Sequence, residues 1–291
     1  MIEIRRTTGI AVLLYVLFSS VWAGEEMKEM PFKFTRITAS LYYKSSSAVS
    51  LDGEYLAYSV SRDSKEKIWI KSLSENSEEF ELPVDVEGSC PSFSPDGKKV
   101  LFHNFIDGKP NLYIVGIDGQ GLEKLSQGGY NACWSPDGNK IAFVWQHNIG
   151  IMNPDGRWVI FLTKQGYNNY PRFSPDGKKI VFYSEGEIRM INVETKEIET
   201  IVESDWNGYP VFSPDGKKLA LISTRKTAED AENERYYDLW VLNLETQKWR
   251  RITRDESIEY SPSWLPTGDA IVFIKKHEQT FDIWKVEGII W

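Results

Sequence analysis

Four aspartates, Asp96, Asp137, Asp176 and Asp215, recur at nearly equal intervals in a chain of 291 residues. Carboxylates at matched positions could converge on a metal ion or share acid–base work. Their neighbours argue against both. Each is third in Ser-Pro-Asp-Gly, at residues 94–97, 135–138, 174–177 and 213–216. Proline presets φ near about −65° at the second turn position, aspartate can bond back to the backbone, and glycine supplies a positive φ. The motif holds every residue this turn needs, so the aspartates read as turn residues.

Other chemistry is sparse. The three histidines, His103, His147 and His277, share no close-spaced ligand motif, so no metal site is expected. There is no Gly-X-Ser-X-Gly elbow, no His-Glu-X-X-His and no phosphate-cradling loop. Neither catalysis nor a cofactor is therefore expected. Richer segments precede the turns: Leu41-Tyr42-Tyr43, Gly129-Tyr130-Asn131, Gly166-Tyr167-Asn168-Asn169-Tyr170, Asp205-Trp206-Asn207-Gly208-Tyr209 and Glu259-Tyr260. Aromatic rings beside amides can stack on a sugar or grip a peptide. The predicted partner-binding residues are Tyr130, Asn131, Tyr167, Asn168, Asn169, Trp206 and Asn207. Tyr170, Tyr209 and Tyr260 have the competing reading of repeat-borne packing residues.

The positioning elements follow from the repeat. Ser-Pro-Asp-Gly is preceded by an aromatic residue and followed by two polar residues and an apolar, β-branched run, as in Phe93 to Phe102. Worn copies begin at Ser50 and Leu265, and the successive steps are 44, 41, 39, 39 and 52 residues. Runs of four to six residues suit strands, and a period near forty suits propeller blades. A third strand recurs as Ile68–Lys71, Leu112–Val115, Ile149–Met152, Ile188–Ile191, Leu239–Leu242 and Ile283–Val286. A fourth recurs at Leu122–Leu125, Val159–Thr163, Ile198–Ile201 and Trp249–Thr253, and least clearly within Phe80–Pro83. The fold class is all-β: a six-bladed propeller of four-stranded antiparallel blades. After the last third strand no outer strand follows, while Phe34–Thr38 matches Arg250–Thr253 in type and position. The N-terminal strand is therefore expected to close the ring and remove an open sheet edge.

Tandem Ser-Pro-Asp-Gly-Lys-Lys units, each followed by a strand such as Leu112–Val115 and an outer strand ending in Leu/Ile-Thr, resemble the propeller of the periplasmic TolB family. Related repeats occur in prolyl-oligopeptidase-type peptidases and oligogalacturonate lyases. The resemblance runs from about Phe34 to Trp291 and implies the architecture. Only about ten residues, 24–33, lie between the secretory signal expected at 1–23 and the first strand, so a domain like TolB's N-terminal α/β domain is not expected. Likewise, a peptidase domain after the last blade is not expected.

Arg5 and Arg6 precede an apolar run to Trp22, and Val21-Trp22-Ala23 fits a cleavage site. Residues 1–23 are thus read as a secretory signal, 24–33 as a leader and 34–291 as the propeller, placing the protein in the periplasm or outside the cell, with no membrane span after cleavage. A net charge of −8 argues against nucleic acid. Cys90 and Cys133 fall on adjacent inner strands, which are usually too far apart to bridge, so two buried thiols are expected. The 52-residue step marks an insertion at 224–235, expected as a short helix or surface loop on the aromatic face. The resulting expectation is a non-catalytic platform for an envelope protein or peptide; the alternative is a carbohydrate-binding protein, or a propeller enzyme like the oligogalacturonate lyases or a glycosidase.

Overall fold

The computed structural model describes residues 32–290 apart from 40–41, 75–76, 204–205, 228–229 and 231–235. The expected signal peptide, and the leader up to residue 31, lie outside the described residues. Six four-stranded antiparallel sheets form the expected propeller, and five of them run in chain order from inner to outer strand. The inner strands are Tyr43–Val49, Ser89–Phe93, Tyr130–Trp134, Asn168–Phe173, Asn207–Phe212 and Ile258–Trp264, in blades one to six.

The turns behave as their composition demands. In all four Ser-Pro-Asp-Gly units the serine hydroxyl donates to the aspartate Oδ1 at 2.6 Å. The same oxygen accepts the N–H two residues on, at 3.0–3.1 Å. The glycines take φ of 69–73°, open to glycine without strain. The serine hydroxyl, first among the causes, holds Asp96, Asp137 and Asp176 below the usual carboxylate range. These carboxylates are occupied by the turn, as read from the sequence.

Packing occurs between blades rather than within them. The buried apolar side chains fall into six clusters, one at each seam, including the seam between blades six and one. Phe102 of blade two, 1% exposed, packs beside Ile68 and Ile70 of blade one, and Phe182 of blade four beside Val144 and Ile149 of blade three. Flat rings and branched aliphatics fill the wedge between twisted sheets, and their burial is the main stabilising term.

The sixth blade is completed by Lys33–Arg36, antiparallel to Thr280–Glu287, with Phe34 opposite Val286. The expected latch is present, one residue earlier than predicted and ending as a ladder at Arg36. Ile37 and Thr38 then repeat a device of the other blades. Thr38 Oγ1 accepts the Ile283 N–H at 3.0 Å, as Thr163 does for Ile149 and Thr253 for Leu239. This hydroxyl takes the place of a ladder partner, so the outer strands of blades three, five and six all end as ladders just before the Ile/Leu-Thr pair, at Phe161, Arg251 and Arg36. Arg36 also binds Asp282, whose carboxylate faces the buried Lys44 of blade one at 3.7 Å.

Each inner strand carries one extra residue against its partner, between Lys44/Ser47, Ser89/Ser92, Tyr130/Cys133, Asn169/Arg172, Gly208/Val211 and Tyr260/Ser263. At five of these bulges the first residue is left-handed: Cys90, Asn131, Tyr170, Tyr209 and Ser261, with φ of 50–53°. Proline follows at 91, 171, 210 and 262, which disfavours right-handed helical backbone in the residue before it. Bulges re-aim side chains, and here they do so around the channel.

Both thiols are free, and Cys133 Sγ donates to the Pro171 carbonyl at 3.1 Å. Burial pushes the Cys133 thiol up. The insertion is anchored at Asp230, which binds Arg251 and accepts from Thr227; the rest of its span at 228–229 and 231–235 lies outside the described residues.

Candidate functional site

The loops that lead into the inner strands, with the second-to-third strand connections, form one mouth of the channel. Aromatic side chains occupy it in two arcs. In blades two to four, Tyr130 lies 6.2 Å from His103 and 6.4 Å from Phe105, and Tyr167 stacks on His147 at 4.0 Å. In blades five, six and one, Trp206 meets Tyr237 edge-on at 5.0 Å, and Tyr209 lies 6.4 Å from Tyr260. Tyr170 and Tyr209, 4.3 Å apart, link the arcs through a hydroxyl–hydroxyl bond of 3.2 Å.

The second arc borders an open recess. A cavity of about 330 Å³ is lined by Tyr43, Ser45, Trp206, Tyr209, Tyr237, Ile258, Glu259 and Tyr260. Its wall depends on the chain just past the insertion, where Tyr237 forms a parallel bridge with Ile258 and its carbonyl accepts the Glu259 N–H at 3.0 Å. Trp206 is held from below by mutual bonds with Thr224. A larger cavity, about 390 Å³, lies at the opposite end of the channel among the first-to-second strand turns of all six blades. Its wall repeats the same prolines and serines in nearly every blade, and among the described residues Arg172 is its only charged lining residue. That space is what the turn repeat leaves around the axis, whereas the aromatic cavity lies in one arc of the other mouth, between blades five, six and one.

The predicted residues separate into three groups. Trp206 lines the aromatic cavity. Tyr130 and Tyr167 stand in the other arc, and Asn131 donates to Asn169 at 2.7 Å across neighbouring inner strands. Asn168 and Asn207, each 1% exposed, turn inward instead. Asn168 Nδ2 donates to the His147 and Gln165 carbonyls, and Asn207 Nδ2 to that of Gly186. Each amide staples its blade to the preceding one, and its donors are spent on those carbonyls. Tyr209 and Tyr260, which had a packing reading, both line the cavity.

Glu259 was not among the predicted residues. Counted from the bulge, it stands where Asn168 and Asn207 stand, and it accepts from Thr253 Oγ1 at 3.1 Å as Asn168 donates to Thr163. Its other oxygen, Oε1, is buried with no hydrogen-bond partner among the described residues. Burial, then the nearby Asp255, push its carboxyl up from 4.5 to about 8. Asp238, bound to Arg251, is pushed by burial to about 6. His103, buried at the edge of the first arc, is held down to about 4 and stays neutral.

A stability consequence follows. Between 4.5 and about 8 the folded chain keeps a proton on Glu259 that the unfolded chain has released. Folding stability contributed by this site therefore falls as pH rises through that window. Glu259→Gln is expected to raise the melting temperature at pH 8 by several degrees more than at pH 5, by roughly 2–4 °C per kcal/mol recovered. Differential scanning calorimetry at both pH values checks this; an equal or larger gain at pH 5 would contradict it.

The whole described propeller matches a known family profile. The TolB beta propeller domain profile covers residues 32–184 and again 146–288. The chain belongs to the TolB beta propeller domain family. Among solved structures, TolB from Acinetobacter baumannii superposes with a TM-score of 0.64 at 19% identity, over 81% of this chain and 65% of that one. A candidate TolB from Agrobacterium tumefaciens gives 0.68 at 20%, over 89% and 98%. Oligogalacturonate lyase from Vibrio parahaemolyticus gives 0.56 at 16%, over 89% and 94%. At these identities the likeness is one of fold. An uncharacterized protein of Agrobacterium fabrum is 26% identical over 98 residues, 33% of either chain. This TolB-like propeller thus spans under two thirds of the Acinetobacter TolB and a third of that relative. Among its described residues no helix is long and apolar enough to cross a membrane, and no group of three or more His, Cys, Asp or Glu could hold a metal ion.

Proposed function

We propose that this TolB-like propeller is a non-catalytic binding platform, secreted or periplasmic, that grips a protein or peptide of the cell envelope at its aromatic mouth. The observation that carries the reading is the cavity walled by Trp206, Tyr43, Tyr209, Tyr237 and Tyr260. Rigid aromatic rings give large contact area at small entropy cost, and they dominate hot spots of recognition. About 330 Å³ suits one or two side chains of an extended segment rather than a globular surface. The secretory reading of residues 1–23 supports the compartment.

The same rings could stack on a sugar, and the fold likeness to an oligogalacturonate lyase keeps a carbohydrate ligand as the second reading. The channel cavity favours the first, since its described wall carries an arginine and no carboxylate pair for acid–base cleavage. Capture from an envelope extract with the chain from Gly24 onward decides between them, using Trp206→Ala as the control. A protein or peptide retained by the parent and lost by the variant is the expected result. Retention of oligosaccharide alone, above all if it is shortened, would overturn the platform reading.

A further inference from the structure

We propose that the cavity between blades five, six and one is a receptor for an alkylammonium group, the lysine side chain of the partner segment, held by the aromatic rings and by Glu259. The inference rests on the peptide-binding reading and names the chemistry that reading leaves open. Tyr43, Trp206, Tyr209, Tyr237 and Tyr260 line one cavity, and stacked and edge-on rings around a cation attract it through their quadrupoles. Glu259 lines the same cavity, is 1% exposed, and keeps Oε1 without a partner among the described residues. A buried carboxyl oxygen left unbonded costs free energy that a ligand donor would recover. At the matching position blades four and five carry Asn168 and Asn207, whose amides are spent on backbone carbonyls. Among the six blades only blade six carries a carboxyl there; counted from its own bulge blade one carries Tyr43, and blades two and three carry Gly88 and Gly129.

The charged surroundings suit a cation once the proton leaves. Asp238 and Asp255 face Glu259 from the outer part of the blade seam, while Arg251 is engaged by Asp230 and Asp238, and Lys275 by Asp255. On the cavity side Glu66 accepts from Ser45, and the remaining titratable groups are the tyrosines. An arriving ammonium stabilises the ionised carboxylate, so binding expels the Glu259 proton to solvent. Since the free carboxyl titrates at about 8, affinity should rise by up to tenfold per pH unit between 6 and 8 and then level off.

The test follows the Trp206 indole N–H resonance in the full chain with 15N-labelled tryptophan, assigned with Trp206→Phe. The probes are acetyl-Gly-Lys-Gly-amide, the same peptide acetylated on the lysine nitrogen, and butylamine. The expected result is a saturable shift with the lysine peptide, at least tenfold weaker affinity for its acetylated form and for Glu259→Gln, and about one proton released per binding event at pH 7. Glu259→Gln is expected to fold at least as stably as the parent, so its loss of binding is not a loss of structure. Equal affinity for the acetylated peptide would overturn the ammonium assignment while leaving a peptide-binding mouth intact. Butylamine competing with the lysine peptide for the same shift is expected, and a lysine-peptide shift that butylamine at saturating concentration does not displace would overturn the ammonium as the recognised group. No shift with any probe would overturn the assignment, whereas failure of the platform reading itself is read separately, from capture of glycan alone.

Discussion

A chain lacking residues 33–38 is expected to melt far below the parent, or to be recovered as aggregate. The deletion strips the outer strand from Thr280–Glu287 and with it the register from Lys33–Glu287 to Arg36–Trp284. It also removes the Ile37 and Thr38 bonds to Ile283, including the hydroxyl that accepts the Ile283 N–H. Asp282 loses Arg36 and is left facing Lys44, which is 1% exposed. Intramolecular hydrogen bonds contribute about 1 kcal/mol each, so the sum is on the order of 5 kcal/mol. Domains of this kind hold only about 5–15 kcal/mol in total. The bared strand then offers an open edge for addition by another chain. Thermal unfolding with light scattering checks this, and an unchanged melting temperature would sink the latch.

Trp206→Ala is expected to weaken partner binding by about 30- to 1,000-fold, the range of a central aromatic anchor worth roughly 2–4 kcal/mol. Trp206 is 36% exposed, lies against Tyr237 and Tyr183, and is absent from the buried clusters at the blade seams. Its removal should therefore leave circular dichroism and the urea midpoint close to the parent's. Tyr167, in the other arc, lines neither the aromatic nor the axial cavity, and Tyr167→Ala should cost under tenfold. A larger loss from Tyr167→Ala than from Trp206→Ala, measured by calorimetric titration with the captured partner, would move the site to blades three and four.

The sequence carried the fold because its strongest local signal, Ser-Pro-Asp-Gly, is also the fold's period. The same turn chemistry places a hairpin every blade, and the Ile-Thr ending shared by residues 37–38 and 252–253 identified the closing strand. The site was less legible for two physical reasons. Amides near exposed loops look available, yet Asn168 and Asn207 each sit on the first rungs of an inner strand, where the carbonyls of the preceding blade need a donor. Glu259 is the converse. It lies as far before Leu265 as Asn168 and Asn207 lie before Ser174 and Ser213, but a glutamate beside a tyrosine in an entry loop reads as solvated until its burial is seen. Tyr237 belongs to the cavity only because the chain just past the insertion returns to pair with Ile258, a long-range contact that local pattern does not encode.

The competing surface is the outer rim of blade three, where Trp158 is 77% exposed beside Val159 and Ile160. Site-specific photo-crosslinking separates it from the aromatic mouth. A benzoylphenylalanine placed at Tyr43, which lines the cavity, and another at Trp158 would each be irradiated with envelope extract. The account predicts one dominant adduct from position 43, abolished by Trp206→Ala, and none from position 158. The same adduct from position 158 alone would contradict it and place recognition on the outer face of the propeller.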